Sequence, residues 1–124
     1  SIEFAGAKIG LFQLTAQGQV IRHSVARCSL GYVEAIAQAD MPQVTTISYE
    51  TGDLFVIVTD GFTDQIGGPG EKKIAYGYRR LELLLQKNKD SDAQAMTECM
   101  QEDFKQWQGK EVRRDDVTAV VFRL

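Results

Sequence analysis

The chain has 124 residues, 44% of them hydrophobic and 25% charged, and a formal net charge of −3. That length and composition bound it to one ordinary globular domain. The acidic balance leaves Arg79-Arg80 and Arg113-Arg114 too few to form a basic stripe for nucleic acid, and no apolar stretch approaches the ~20 residues of a membrane helix.

The chain starts as a strand, Ile2–Phe4, without a lead-in, a start methionine or a signal-peptide pattern, so a piece of something larger is expected. Ile9–Leu14 and Gln19–His23 read as further strands, joined by a hairpin-type turn at Ala16-Gln17-Gly18. Cys28–Asp40 is ambiguous. Val33, Ile36 and Ala37 would share a helical face, but Gly31 and Pro42 bracket the stretch closely. Val44–Tyr49 reads as a strand, and Glu50-Thr51-Gly52-Asp53 as a turn. Leu54–Thr59 is a near-continuous apolar strand, which predicts burial on both faces of a covered sheet.

The Gly/Pro-rich segment Gln65–Lys73 reads as a loop. Tyr78, Leu81, Leu84 and Leu85 recur at helical spacing and predict a helix over Tyr76–Lys87. Ser91 as N-cap, with Gln94 completing a capping box, opens a second helix. Its Ala93, Met96, Met100, Phe104 and Trp107 trace a core-facing stripe rather than a cofactor box, and Gly109 ends it. Val117–Leu124 reads as a last strand, again buried on both faces. Cys28 and Cys99 form no CxxC or Cys/His cluster, so zinc is not expected; they read as core-filling thiols in a reducing cytoplasm. His23, the sole histidine, reads as structural.

Two features carry chemistry. Asp60-Gly61 closes one apolar strand, and Asp115-Asp116 opens another. A carboxylate at the rim of a packed sheet is costly unless a cation or donors offset its desolvation. Adjacent like charges at such a rim also favour a nearby cation. Magnesium and manganese are hard ions that take oxygen ligands. The bland alternatives are a strand-ending turn at Asp60 and a solvated loop at Asp115-Asp116 with Arg113-Arg114 as counter-ions.

The string Gly52-Asp53-Leu54-Phe55-Val56-Ile57-Val58-Thr59-Asp60-Gly61, followed at a distance by Asp115-Asp116-Val117-Thr118, resembles the SpoIIE-like bacterial branch of the metal-dependent (type-2C, PPM) serine/threonine phosphatases. Phe4-Ala5-Gly6-Ala7 is similar to the family's "AGH/AGA" strand, and Ser29-Leu30-Gly31 to its "pLG" turn. The continuation Asp64-Gln65-Ile66-Gly67-Gly68 resembles a subgroup attached to membrane sensor modules, SiaA-type proteins among them.

The resemblance implies an α+β fold: a layered α-β-β-α sandwich of mostly antiparallel sheets with outer helices, of which residues 1–124 are the C-terminal portion of a single domain. It implies hydrolysis of phosphoserine or phosphothreonine on a regulatory protein of the anti-sigma-factor-antagonist type. The water would be activated by two magnesium or manganese ions. Asp60 and Asp115 match metal-binding acids, with the carbonyl of Gly61 beside them. Asp116 and Asp64 are candidates for orienting those ligands from behind. Ala7 stands where many relatives have His and receives no role.

The family's ion-bridging Asp lies on strands before the "AGH" strand, so this stretch alone is expected to be inactive, with one sheet edge uncovered and dimerisation a way to cover it. An upstream sensor is implied, as is a cytoplasmic location with tethering to the inner membrane through it. The competing class is a non-catalytic interaction module that kept the fold and lost the chemistry, with the Gly67–Gly70 loop and the helix pair as its binding surface.

Overall fold

The computed structural model describes residues 2–4, 9–23 and 45–124. The ambiguous Cys28–Asp40 stretch, the Ala5-Gly6-Ala7 and Ser29-Leu30-Gly31 motifs and Cys28 lie outside the described residues. Strands β2 (Ile9–Leu14), β3 (Val20–His23), β5 (Leu54–Thr59) and β8 (Ala119–Arg123) form an antiparallel sheet in the order β3-β2-β5-β8. A second antiparallel pair joins β1 (Ile2–Phe4) to β4 (Thr45–Ile47). The expected α+β architecture of antiparallel sheets and covering helices is therefore present.

Alternation along β5 explains the layers. Leu54, Val56 and Val58 face one side, together with Phe12 and Leu14 of β2. Against them pack helices α2 (Tyr78–Lys87) and α3 (Ala93–Gln108), through Leu81, Leu85, Met96, Met100, Phe104 and Trp107. Phe55 and Ile57 face the other side, in a smaller cluster with Leu11, Ile47 and Phe122. There the Phe55 and Phe122 rings stack with centroids 5.4 Å apart. A strand contributing to cores on both faces must be apolar at successive positions, and β5 is.

The last strand differs from expectation. Val117–Leu124 reads as doubly buried, yet β8 is an outer strand of the described sheet, and Val120 is 49% exposed. Its apolar run reflects packing of Val121 and Ala119 on the helix side and Phe122 on the other. Arg123 fastens its end by donating to the carbonyls of Gly52 and Ser91, 2.6 Å each.

The α3 stripe is buried as its spacing requires. The cap lies one residue later than predicted: Asp92, not Ser91, accepts from Ala95 N at 2.7 Å. Both residue types cap well, and the winner is the one whose oxygen reaches the third residue beyond it. Helix α2 begins at Tyr78, because Tyr76 is already turned into the core against Phe62 and Trp107. Within the Gln65–Lys73 stretch, read as a loop, residues 68–73 are loop and only Ile66–Gly67 forms a strand. Ile66–Gly67 (β6) pairs with Ile74–Ala75 (β7) as a short ribbon laid on the end of α3. Cys99 is half-buried on α3.

On the smaller-core side a polar knot joins three strands' ends. The buried Gln13 donates through Nε2 to Asp53 Oδ2 (2.8 Å) and the Ser48 carbonyl (3.2 Å). Its Oε1 therefore faces His23 Nε2 at 2.9 Å, which fixes that ring nitrogen as the protonated donor. Asp53 also accepts from Glu50 N, closing the turn before β5. His23 is thus structural, as its position outside every motif suggests.

Burial pushes the His23 imidazole below its ordinary value of 6.5. The folded protein favours the neutral ring, so the unfolded chain takes up the proton first as pH falls. The contribution to stability is complete above about pH 6.5 and is lost as pH drops through the lower folded-state value. A thermal melt series between roughly pH 7 and pH 5 should show a steeper fall in midpoint for the native chain than for His23→Gln, which keeps a donor to Gln13. Equal slopes would remove His23 as the cause.

Candidate functional site

Strand β5 delivers Thr59 and Asp60 to the rim of the main sheet, where a single helical turn, α1 (Asp60–Thr63), begins at once. Asp64 N closes that turn on the Asp60 carbonyl at 2.8 Å. Asp60 is half-buried; Asp64, one turn later, is exposed. The turn buries Phe62 against Tyr76 and Phe104, with ring centroids 5.2 and 5.0 Å away, which anchors α1 to the helix layer.

The segment before β8 returns to the same rim. A Cβ added to Gly61 would lie 2.1 Å from the Asp116 carbonyl oxygen and 3.4 Å from the Asp115 carbonyl carbon. Only a residue without a side chain allows that approach. The Asp116 carbonyl therefore lies directly on the main chain of Gly61, and the strand-end acids Asp60 and Asp115 are carried on two segments in contact. Thr59 secures the crossing: its N donates to Thr118 O (3.0 Å), and its Oγ1 accepts from Thr118 N (3.0 Å).

The two acids of the second pair differ in their engagement. Asp115 turns Oδ1 back to its neighbour's amide, accepting from Asp116 N at 2.7 Å. Asp116 contributes its carbonyl to the Gly61 contact, while its side chain is exposed. Arg113 is directed elsewhere, donating through Nε to Gln108 Oε1 at 3.1 Å and lying 5.1 Å from the Phe104 ring centroid. The ion pair among the described residues is Arg80–Asp103, which joins α2 to α3.

Sequence reasoning missed Gln65. It is fully buried, and its side chain reaches across to residues 112 and 114, directly before the acid pair. A glutamine inside a Gly/Pro-rich stretch carries no periodic signal; its one mark is a place five residues after Asp60.

Beside the rim a groove of about 320 Å³ runs between α3 and the segment leading into β8. Phe62, Met100 and Phe104 form its apolar floor, and Lys105 and Arg113 supply its charge.

The candidate donors on the two touching segments, the carboxylates of Asp60 and Asp115 and the carbonyl of Gly61, are all hard oxygens. That chemistry suits a hard divalent ion and not zinc or copper. Among the described residues, no three His, Cys, Asp or Glu side chains gather into a full cation cage.

The antiparallel sheet with its covering helices has the fold of PP2C-type phosphatase domains. The sequence profile of Stage II sporulation protein E (SpoIIE) matches residues 5–124, and the chain belongs to that family. The SiaA-PP2C domain of Pseudomonas aeruginosa superimposes with a TM-score of 0.82 at 29% identity, over 98% of this chain and 46% of that one. The PP2C phosphatase domain of SpoIIE from Bacillus subtilis, with a fragment of its regulatory domain, gives 0.70 at 20% identity over 98% and 33%. A manganese-presoaked structure of that phosphatase domain gives 0.65 at 16% identity over 99% and 56%. The chain thus spans about half, or less, of the matched structures' length. No curated protein matches it. Among the described residues, no helix is long and apolar enough to cross a membrane.

Proposed function

We propose that this chain supplies the C-terminal part of a metal-dependent phosphoprotein phosphatase acting on phosphoserine or phosphothreonine of a bacterial regulatory protein, of the anti-sigma-factor-antagonist type. One observation supports the reading: the Asp116 carbonyl pressed on the Gly61 main chain, so that the segments carrying the two strand-end acids are in contact. Asp60, Asp115 and the carbonyl of Gly61 would hold magnesium or manganese there. Such an ion supplies positive charge for the phosphoryl oxygens and lowers the pKa of a bound water to near neutrality.

The chain's own residues do the rest. Asp116 supports the site through its main chain, by donating to Asp115 and seating its carbonyl on Gly61. Asp64 stands exposed one turn from Asp60, where it can accept from water at the rim. Lys105 and Arg113 beside the groove place positive charge where an anionic phosphoprotein would approach. The remaining acids of a two-ion site would come from residues outside this stretch, and with them the sensor that governs activity at the cytoplasmic face of the membrane.

Manganese-dependent release of phosphate from a small aryl phosphate tests the reading. The assay compares the 124-residue chain with a version extended upstream to the length of the matched phosphatase domains. Turnover by the extended protein, and little by the short chain, is expected. An extended protein that binds manganese yet stays inert would move the chain to the class of interaction modules.

A further inference from the structure

We infer that Gln65 is a positioning residue for the rim: its side-chain amide fixes the segment carrying Asp115 relative to the turn carrying Asp60. Its relevance to metal binding rests on the proposed phosphatase reading.

A primary amide has two N–H donors and a carbonyl acceptor. Gln65, at 0% exposure, uses all three kinds of contact. Nε2 donates to the carbonyls of Val112 and Ile66, 3.0 Å each, and Oε1 accepts from Arg114 N at 3.4 Å. Turning the amide over would set oxygen against two carbonyls and nitrogen against an N–H, so its orientation is fixed. The main chain of the same residue is equally engaged. Its carbonyl accepts from Trp107 Nε1 (3.1 Å) and from Tyr76 N (2.9 Å). Gln65 therefore ties α3, the β7 exit and the segment before Asp115 to one point.

The two ends of the acid-bearing loop are then held by the two residues that bracket Asp60. Gln65 holds Arg114, and Thr59 holds Thr118 on both its N–H and its C=O. Between these clamps lie Asp115, Asp116 and Val117, with Gly61 pressed on the middle of the span. One continuous segment, Thr59–Gln65, thus supplies one acid and sets the place of the other. Truncating the amide leaves the Val112 carbonyl and the Arg114 N–H without their partner, and the loop is free to drift from Asp60. Groups that hold ligands in place without touching the ion are commonly worth 10–100-fold in metal affinity.

The test uses the full-length protein and two readouts: manganese affinity by calorimetry, and hydrogen exchange of the 112–118 peptide. Gln65→Leu keeps bulk and removes the amide. Trp107→Phe is the control, because it deletes the indole donor to the Gln65 carbonyl and leaves the side-chain amide contacts in place. Gln65→Leu is expected to speed exchange in 112–118 and to weaken manganese binding by roughly 10–100-fold. Trp107→Phe, at a similar loss of thermal midpoint, should leave both close to native. Native exchange and affinity in Gln65→Leu would overturn the inference, as would equal effects in Trp107→Phe. If the native protein binds no manganese while Gln65→Leu still loosens the 112–118 amides, the positioning role stands and the phosphatase reading falls.

Discussion

Asp60→Asn should reduce metal-dependent turnover of the extended protein by more than about 100-fold with little change in its thermal midpoint. The lower bound follows from the 10–100-fold that groups merely supporting a ligand are worth, since a direct ligand should exceed it. Asparagine has nearly the same shape and keeps a carbonyl oxygen, so the packing of α1 and the Asp64 N to Asp60 carbonyl bond are untouched. What disappears is the negative charge, the property a divalent ion requires of the rim. Phosphate release under a manganese titration is the measurement. Near-native turnover at saturating manganese would show that Asp60 does not hold the ion.

Gly61→Ala should act through a different cause, with stability and site geometry lost together. The new methyl carbon would meet the Asp116 carbonyl oxygen at 2.1 Å and its carbon at 3.0 Å, both rigid backbone atoms. No rotamer change relieves such a clash, so α1 or the 115–116 segment must shift. Overpacking of this kind commonly costs about 1–3 kcal/mol. Gly67→Ala provides the contrast. Its added carbon would lie 1.8 Å from the Trp107 carbonyl oxygen, so a comparable destabilisation is expected away from the acids. Denaturant melts paired with manganese affinity separate the two. Gly61→Ala should lose both quantities, and Gly67→Ala chiefly the first. Retained manganese affinity in Gly61→Ala would break the link between that contact and the site.

Much of this was legible in the sequence where a residue's environment follows from its neighbours in the chain. Leu54–Val58 reads as a doubly buried strand because successive apolar positions can only mean cores on both sides, and the structure has those cores. Met96, Met100, Phe104 and Trp107 read as a buried stripe for the same reason at helical spacing. The strand-end acids stood out as charges set against apolar runs.

Other features depended on distant partners. Val117–Leu124 has the pattern of β5, but its place beside only one described strand leaves Val120 half-exposed, and no local pattern encodes neighbour count. The ribbon of Ile66–Gly67 with Ile74–Ala75 was hidden by its glycines. Gly67 is there because the Trp107 carbonyl occupies the space a side chain would need, and Gly68 because its φ of 107° sets it against the Trp107 ring. Gln65 was invisible because the groups it satisfies lie 47 and 49 positions further along the chain. The cap at Asp92 in place of Ser91 turned on a single hydrogen-bond reach.

The chain has one tryptophan, and its place gives the molecule an internal light source. Trp107 sits buried with its indole N–H shared between the Gln65 and Ile74 carbonyls and the Arg80 guanidinium 4.5 Å from its ring centroid. Any loosening of the joint that ties α3 to the acid-bearing loop would admit water to that ring and shift its emission to longer wavelength. Fluorescence at this single site therefore follows the joint directly, with no label to attach.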